Sequence, residues 1–532
     1  MKVINTTPKQ GVFSGREKEK DVRYNNIVAA KAIADIVRTS LGPKGMDKLI
    51  TSADGQHTIT NDGATIVGKL ETNHPAAKMI IDLSKAQDIE AGDGTTSVVI
   101  LAGSLLDAAQ QLIEKGIHAS SISRAFMMSL KVTKEILTSI AIPLDFTNRD
   151  SLLQAAITSL NSKVISTYSD VLAPIAVDAV LRVVNPATAT NVDLQQIKVV
   201  SKVGGTIDDT ELIDGLCFAQ GSVSSTTTND TTSIIKNAKI GLIQYQLSPP
   251  KTNMENSIVI EDYTQIDRIL REERTYIQKL LKPIIKSGCN VLLIQKSILR
   301  DAVCDLALHY LSSRKIMVIK DIERTEVDFI AQSLNLQPVA DPGLFSPDKL
   351  GYADLVTEVG TPSGKLTKIT GVMNAGKTVS ILCRGSNRMV VDEAVRSLHD
   401  ALCVIRSLIK CRYLIAGGGA PEIAASVKLL DLADTLMDID GHCVTEYAKA
   451  LQIIPVTLAE NAGLDPIYIM TELRKQHATG NSTYGINIKK GIVDDMKQLN
   501  VLQPLLVSLS ALSLATETCC MILKIDDIVG VR

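Results

Sequence analysis

Hydrophobic periodicity changes character twice along this chain, and that double change limits the folds open to it. From Asn25 to Ser40 the segment NNIVAAKAIADIVRTS sets Ile27, Ala30, Ile33 and Val37 at helical spacing, and LGPKG ends it. After Ser97 the residues Val98, Leu101, Ala102, Leu105, Ala109, Leu112 and Ile113 recur at three and four, and Gly116 stops a second helix. Ala-rich helical pattern continues to about residue 190. β-branched alternation then appears at 197–205 and 239–246. The strand-like run NVLLIQ at 290–295, helical SILRDAVCDLALHYL, strand-like KIMVIKD and helical TEVDFIAQSL alternate as β-α-β-α. After a strand pair near 366–384, helices return from RMVVDEAVRSLHDALCVIRSLIK to the end. Helical ends around a mixed centre imply a multi-domain, mainly α chain with an inserted α/β domain, so that one domain is split in sequence. At 532 residues the chain has room for three or four units of roughly 150 residues. No fixed-period repeat or low-complexity tract competes with this division.

Bulk properties exclude several classes of function. Lys and Arg number 56 against 58 Asp and Glu, and a net charge of -2 gives no reason to expect nucleic acid or a membrane surface as partner. Nine cysteines lie without a Cys-x-x-Cys pair and seven histidines do not complete a metal-ligand spacing with them. Reduced, intracellular thiols are expected. The segment MKVINTTPKQ has no apolar signal core, and LLVSLSALSLA at 505–515 reads as too short and Ser-interrupted to cross a bilayer. These features point to a cytoplasmic protein with no membrane partner. Aromatic residues at 3% and the absence of Trp suit helix packing better than base stacking.

Two segments offer phosphate chemistry. GVMNAGKT, Gly371–Thr378, fits the P-loop spacing, which needs a strand before it and a helix after it so that the helix N-terminus faces the phosphates. The chain continues instead into the β-branched run TVSILCRG, so the match reads as a turn between strands. AGDGTTS, Ala91–Ser97, places two glycines, a carboxylate and three hydroxyls directly before a helix. It offers free N–H groups and a helix dipole to an anion, and Asp93 to a hard cation. Alone, it is equally a turn with an N-cap. Further Gly-containing loops lie at LGPKGMDKL (41–49), TNDGAT (60–65) and AGGGAPE (416–422), the last before a helix that begins with Pro.

Taken in order, LGPKGMDKL, TNDGAT, GDGTTS, VGGTIDDTELIDG (203–215), SLHDAL (397–402), AGGGAPE and NAGLDP (461–466) resemble the group II chaperonins over essentially the whole chain. Residues 248–277 and 290–303 resemble, more narrowly, one subunit type of the eukaryotic cytosolic chaperonin. The resemblance implies an equatorial ATP-binding domain from residues 1–150 and 411–532. It implies intermediate hinge segments at 151–215 and 376–410, and an apical substrate-binding domain at 216–375 with a helical protrusion at about 248–281. It implies ATP or ADP and Mg2+ as cofactors, paralogous subunits in a double ring, and non-native clients such as cytoskeletal proteins.

Carried over by position, Leu41, Gly42 and Pro43 line the nucleotide, Asp93 holds magnesium, and Gly63, Gly94, Thr95, Thr96 and Ser97 surround the phosphates. Gly417, Gly418 and Gly419 approach the ribose side and Asp494 contacts the nucleoside. Ser162 and Lys163 sense the terminal phosphate, and Asp62 and Asp400 orient the attacking water. Residues 298–311 are expected as one apical helix with Asp301 and Asp305 on its polar side, and 264–281 as a lid helix or a charged surface helix.

Helix geometry alone reads Asp400 differently. The stripe Val391, Ala394, Val395, Leu398, Leu402, Ile405 and Ile409 is its buried face, and Asp400 lies about 200° round from Leu398, among solvated positions. Val395 stands where the family usually has Glu, which puts an interdomain ion pair in doubt. Three functions therefore compete: an ATP-driven folding machine, a P-loop enzyme dependent on Lys377, and a scaffold that no longer hydrolyses ATP.

Overall fold

The computed structural model describes residues 15–52, 55–144, 149–184, 189–223, 234–249, 263–298, 301–372, 378–436 and 438–528. The chain forms two compact units, residues 1–173 with 397–532, and residues 174–396.

The N-terminal part of the first unit runs α1 (Gly15–Arg38), β1 (Lys48–Thr51), β2 (His57–Thr60), α2 (Gly63–Gly68), α3 (Pro75–Glu90), α4 (Thr95–Glu114), α5 (Ala119–Ile140), β3 (Ile142–Pro143) and α6 (Arg149–Leu160). Helix α7 (Ser169–Val183) comes next, and the division between units falls within it. The apolar positions of α4 run round most of its circumference, so it can only be a central helix. Val98, Leu101, Leu105, Leu106 and Leu112 are at most 2% exposed, and α1, α3 and α5 pack against it.

The second unit holds β4 (Ile197–Val203), β5 (Glu211–Ile213), β6 (Gly215–Phe218), β7 (Ile234–Ile243), α8 (Tyr263–Lys286), β8 (Val291–Gln295), α9 (Asp305–Ser313), β9 (Met317–Ile322), α10 (Val327–Leu334), β10 (Gly351–Thr361), β11 (Gly364–Val372) and β12 (Val379–Gly385). Six strands form one sheet in the order β6-β11-β10-β7-β8-β9, with β7, β8 and β9 parallel and the rest antiparallel. Strand period two decides which side chain faces which layer. Val291 and Leu293 join the core beside α10, whereas Leu292 and Ile294 join the core beside α8 and α9. Strand β12 lies between β4 and β5 in a separate sheet. The P-loop reading fails here, because a strand comes after Thr378 where a helix is required; Met373–Lys377 lie outside the described residues.

One expectation needs correction. The helix expected over 298–311 begins only at Asp305, with Cys304 as its N-cap. Ala302 and Val303 are instead drawn into an extended bridge with Leu247, so Asp301 is not on a helix. Leu299 and Arg300 lie outside the described residues. Residues 264–281 do form a helix, as part of α8.

Helix α11 (Arg388–Cys411) carries the other division between units, and the first unit resumes with β13 (Tyr413–Ala416), α12 (Ala420–Thr435), α13 (Ile439–Leu451), α14 (Ile453–Ala462), α15 (Pro466–Ala478), β14 (Tyr484–Asn487), β15 (Ile492–Asp495), β16 (Leu502–Pro504) and α16 (Leu505–Leu523). Strand β13 pairs with β16 and β3, which joins both chain halves in one small sheet. Helices α13 and α16 pack on α4 and α5. In that core the Phe126 and Tyr447 rings meet edge to face at 5.2 Å, and the Tyr447 hydroxyl lies 3.0 Å from that of Thr516. The 505–515 stretch proves to be part of a 19-residue helix, and both α4 and α16 are long and apolar enough to cross a membrane. Each has 61% of its apolar window buried inside the protein, so their apolarity serves this core.

Candidate functional site

The turn between α3 and α4 has the geometry its sequence implies. Gly92 and Gly94 take φ of 72° and 74°, a region that only glycine enters without strain. Gly94 is the N-cap of α4 and supplies no side-chain cap. The leading N–H groups of Thr95, Thr96 and Ser97 thus have no capping side chain and face outward with the helix dipole. Asp93 bends back so that its Oδ1 accepts from the Gly94 N–H at 2.7 Å. Gln87, fully buried, donates to the Asp93 carbonyl at 2.9 Å and to that of Val507 at 3.4 Å.

The 60–65 loop closes on this turn from a second direction. Asp62 caps α2, accepting from Thr65 N–H at 3.0 Å and Thr65 Oγ1 at 2.7 Å. It also accepts from Thr95 Oγ1 at 3.0 Å. The Thr95 hydroxyl therefore anchors Asp62, leaving Thr95 its backbone N–H as the group for an anion. A Cβ on Gly63 would lie 2.6 Å from the Thr96 nitrogen, so only glycine lets the two loops come this close. Asn61 donates to the Ser162 carbonyl at 3.1 Å, which ties in the end of α6, while Ser162 Oγ turns back to the Ser159 carbonyl.

Lys163 and Asp400 complete the cluster. They form a buried ion pair at 2.5 Å, with side chains 9% and 10% exposed. Burial alone would pull the Lys163 ammonium down, but Asp400, Asp62 and Asp93 together hold it above the ordinary lysine value. Burial pushes the Asp400 carboxyl up to about 8, helped by Asp62 and Asp93 and opposed by Lys163. Burial also pushes against ionisation of Asp62, yet Lys163 and the hydrogen bonds from Thr65 and Thr95 hold it below the usual carboxylate range.

The solvated reading of Asp400 is thus corrected. Helix α11 is covered nearly all round here: Leu398, Ala401, Leu402, Cys403, Val404, Ile405, Leu408 and Ile409 are at most 2% exposed. Its far face lies on the phosphate-type turn instead of in water. Arg406 donates to the carbonyls of Ile89 at 3.1 Å and Glu90 at 3.4 Å, Ser407 donates to that of Ala91 at 3.2 Å, and Lys410 pairs with Glu90 at 2.6 Å.

The remaining expected residues form a neighbouring group. Gly418 and Gly419 have φ of 67° and 80°, and Gly419 is an N-cap of α12 without side-chain capping, a second open helix start. The Gly418 carbonyl accepts from Ile486 N–H at 3.0 Å, which docks the β14–β15 hairpin and places Asp494, opposite Gly485, beside the glycine turn. Asn487 steadies Asp494 at 3.4 Å, and a bond from the Asp495 N–H holds that carboxyl below its usual range. Gly417 accepts no bulk either, because its N–H donates to the Val501 carbonyl and a Cβ would lie 3.0 Å from Val501 Cγ1.

The 41–43 turn is fixed by α14. Asn461 donates to the carbonyls of Arg38 and Leu41 at 3.1 and 2.9 Å, and a Cβ on Gly42 would lie 2.5 Å from Leu458. Pro43 is exposed. Asn61, Gln87 and Asn461 were not singled out from sequence; Asn61 and Asn461 stand inside quoted motifs, while Gln87 carries no local signal at all.

The donor set suits a particular kind of ion. Among the described residues no three His, Cys, Asp or Glu side chains gather as a metal cage. One loop carboxylate beside an anion-binding helix start fits Mg2+, which keeps waters and is held by one or two carboxylates together with phosphate oxygens.

The sequence profile of the TCP-1/cpn60 chaperonin family matches residues 33–532. The chain is 60% identical over 525 residues to T-complex protein 1 subunit delta of Dictyostelium discoideum, covering 99% of this chain and 98% of that one. It is 57% identical to the subunit of the same name from Schizosaccharomyces pombe, covering 98% of each, and 56% identical to that of Homo sapiens, covering 98% and 96%. Delta is also the subunit type that residues 248–277 and 290–303 resemble.

Proposed function

The chain belongs to the TCP-1/cpn60 chaperonin family, and from that premise we propose that it is an ATP-hydrolysing subunit of a hetero-oligomeric, double-ring, cytoplasmic chaperonin that folds non-native proteins. The observation that carries this reading is the convergence of Lys163, Asp62, Asp93 and Asp400 on the uncapped start of α4. A scaffold that had lost hydrolysis would have no need of a buried ion pair whose cation faces three carboxylates.

In this proposal the α4 N–H groups and the Gly94–Ser97 turn bind the phosphates, and Asp93 holds magnesium. The ion, when bound, neutralises charge on the phosphate oxygens. Asp62, kept ionised and rigid as a helix cap, accepts a hydrogen bond from the attacking water. Asp400, held 2.5 Å from the Lys163 ammonium, orients the same water from the other side. Lys163 and Ser162 face the terminal phosphate. Gly417–Gly419 and Asp494 hold the ribose side, with Leu41–Pro43 on the other flank.

The three-part division belongs to the same proposal: residues 1–150 and 411–532 equatorial, 151–215 and 376–410 intermediate, and 216–375 apical, where clients bind. Closure of the cavity is assigned to about 248–281. The test is magnesium-dependent ATP turnover by the assembled chain beside an Asp93→Ala variant. Severe loss of nucleotide affinity at fixed magnesium is expected in the variant, and parental affinity would remove the assignment.

A further inference from the structure

Four consecutive residues lead from α3 into the Asp93 turn, and each meets one face of α11. The Ile89 and Glu90 carbonyls accept from Arg406, the Ala91 carbonyl accepts from Ser407, and Glu90 also pairs with Lys410. Gly92 sits so tightly that a Cβ there would lie 2.2 Å from Cys403 Cβ. Positions 403, 406, 407 and 410 are spaced at three, four and seven, which is a single helical stripe. Asp400 is the next residue of that stripe, about 4.5 Å further along the axis at 1.5 Å per residue.

We propose that Arg406 is a positioning residue for hydrolysis: by holding the carbonyls of Ile89 and Glu90 it sets the Asp93 turn and Asp400 at a fixed separation across Lys163. This rests on the ATPase reading above. Arg406 sits about 9 Å from Asp400 along the axis, so it touches neither the phosphates nor the water and acts only through the register of the helix on the turn. Both bonds come from Nη2, and the planar guanidinium fixes the two N–H groups of that nitrogen on the two carbonyls, which a freely rotating ammonium does less well. The apolar side of α11 holds the helix in the core; the Arg406 side decides where along the turn it stops. Loss of that stop leaves the binding groups in place while the water-orienting carboxyl shifts, and displacements of the order of 1 Å cost up to about a hundredfold in rate.

The test compares the full-length parent chain with Arg406→Ala and Arg406→Lys by equilibrium Mg-ATP binding, single-turnover hydrolysis, and amide exchange over residues 89–97 without nucleotide. Arg406→Ala should bind ATP within about twofold of the parent, exchange faster over 89–97, and hydrolyse roughly tenfold more slowly. Arg406→Lys, which keeps a cationic donor, should recover most of the rate. Where Arg406→Ala does not fold, Arg406→Lys alone should slow hydrolysis roughly two- to threefold at parental affinity, on the same grounds. Unchanged hydrolysis, a fall in affinity that matches the fall in rate, or a lysine variant no faster than alanine overturns the inference. A parent that binds but never hydrolyses ATP overturns the ATPase reading itself.

Discussion

Removing the Asp400 carboxylate takes away one of three negative groups that face Lys163. A buried ammonium stripped of its only partner costs about 3–5 kcal/mol, but here Asp62 and Asp93 remain, so Asp400→Ala should stay folded and bind ATP nearly as well as the parent. Chemistry should suffer instead. If orienting the water contributes about 3–4 kcal/mol, single-turnover hydrolysis should fall roughly a hundredfold to a thousandfold. Equal losses of binding and turnover in a homo-oligomeric preparation would return Asp400 to a structural role. The residue also marks the limit of sequence reading at this scale. Its position on a helical wheel points to water, because the wheel knows only the stripe that meets the apolar core. The second covered face is made by residues 89–92, more than 300 positions away in sequence, and only the family likeness anticipates it. The glycines were more legible, since Gly63, Gly92 and Gly94 are demanded by local backbone or by close approach.

Helix α8 changes its environment along its length. Ile277, Leu281 and Ile284 are at most 1% exposed and belong to the core beside β8, whereas Ile266, Ile269 and Leu270 are 42–47% exposed at helical spacing. A deletion of the whole proposed protrusion, 248–281, would thus cut into the core, where each lost Ile or Leu costs about 2–5 kcal/mol. Deleting 250–272 spares every residue of that core. That variant should hydrolyse ATP at close to the parental rate and lose nucleotide-driven protection of a trapped client from protease; retained protection would sink the lid assignment. Element type was readable wherever periodicity ran long, as in α4 and β8. It was misread at 301–304, where Ala302 and Val303 are instead held extended by a bridge to Leu247. A bridging segment of distant sequence outweighs local pattern there.

At the scale of the whole molecule, the proposal of a double ring has a direct readout. Particle images of the native complex should show two stacked rings around a cavity, and isolated monomers or single rings in the purified complex would count against it. The sequence revealed the split organisation because the change of period is a property of long segments, insensitive to errors at any boundary. Where one unit passes to the next was less legible: α7 and α11 run unbroken through both unit divisions, and the one breaker at either, Pro174, lies inside α7 without ending it.

That unbroken passage has a consequence for how the chain is made. Among the described residues, the strands that pair in the inserted unit lie between residues 197 and 385, so on a ribosome those hydrogen-bond partners are complete while residues 397–532 are still unmade. At about 5–20 residues per second the rest takes on the order of ten seconds. Throughout that interval α4 and α5 lack α13 and α16, and their apolar faces stand open to water. Asp400, the Gly417–Gly419 turn and the Asp494 hairpin have not yet arrived either, so the proposed nucleotide site is still incomplete. A member of a chaperonin family is, during its own synthesis, a sticky half-core in need of shelter.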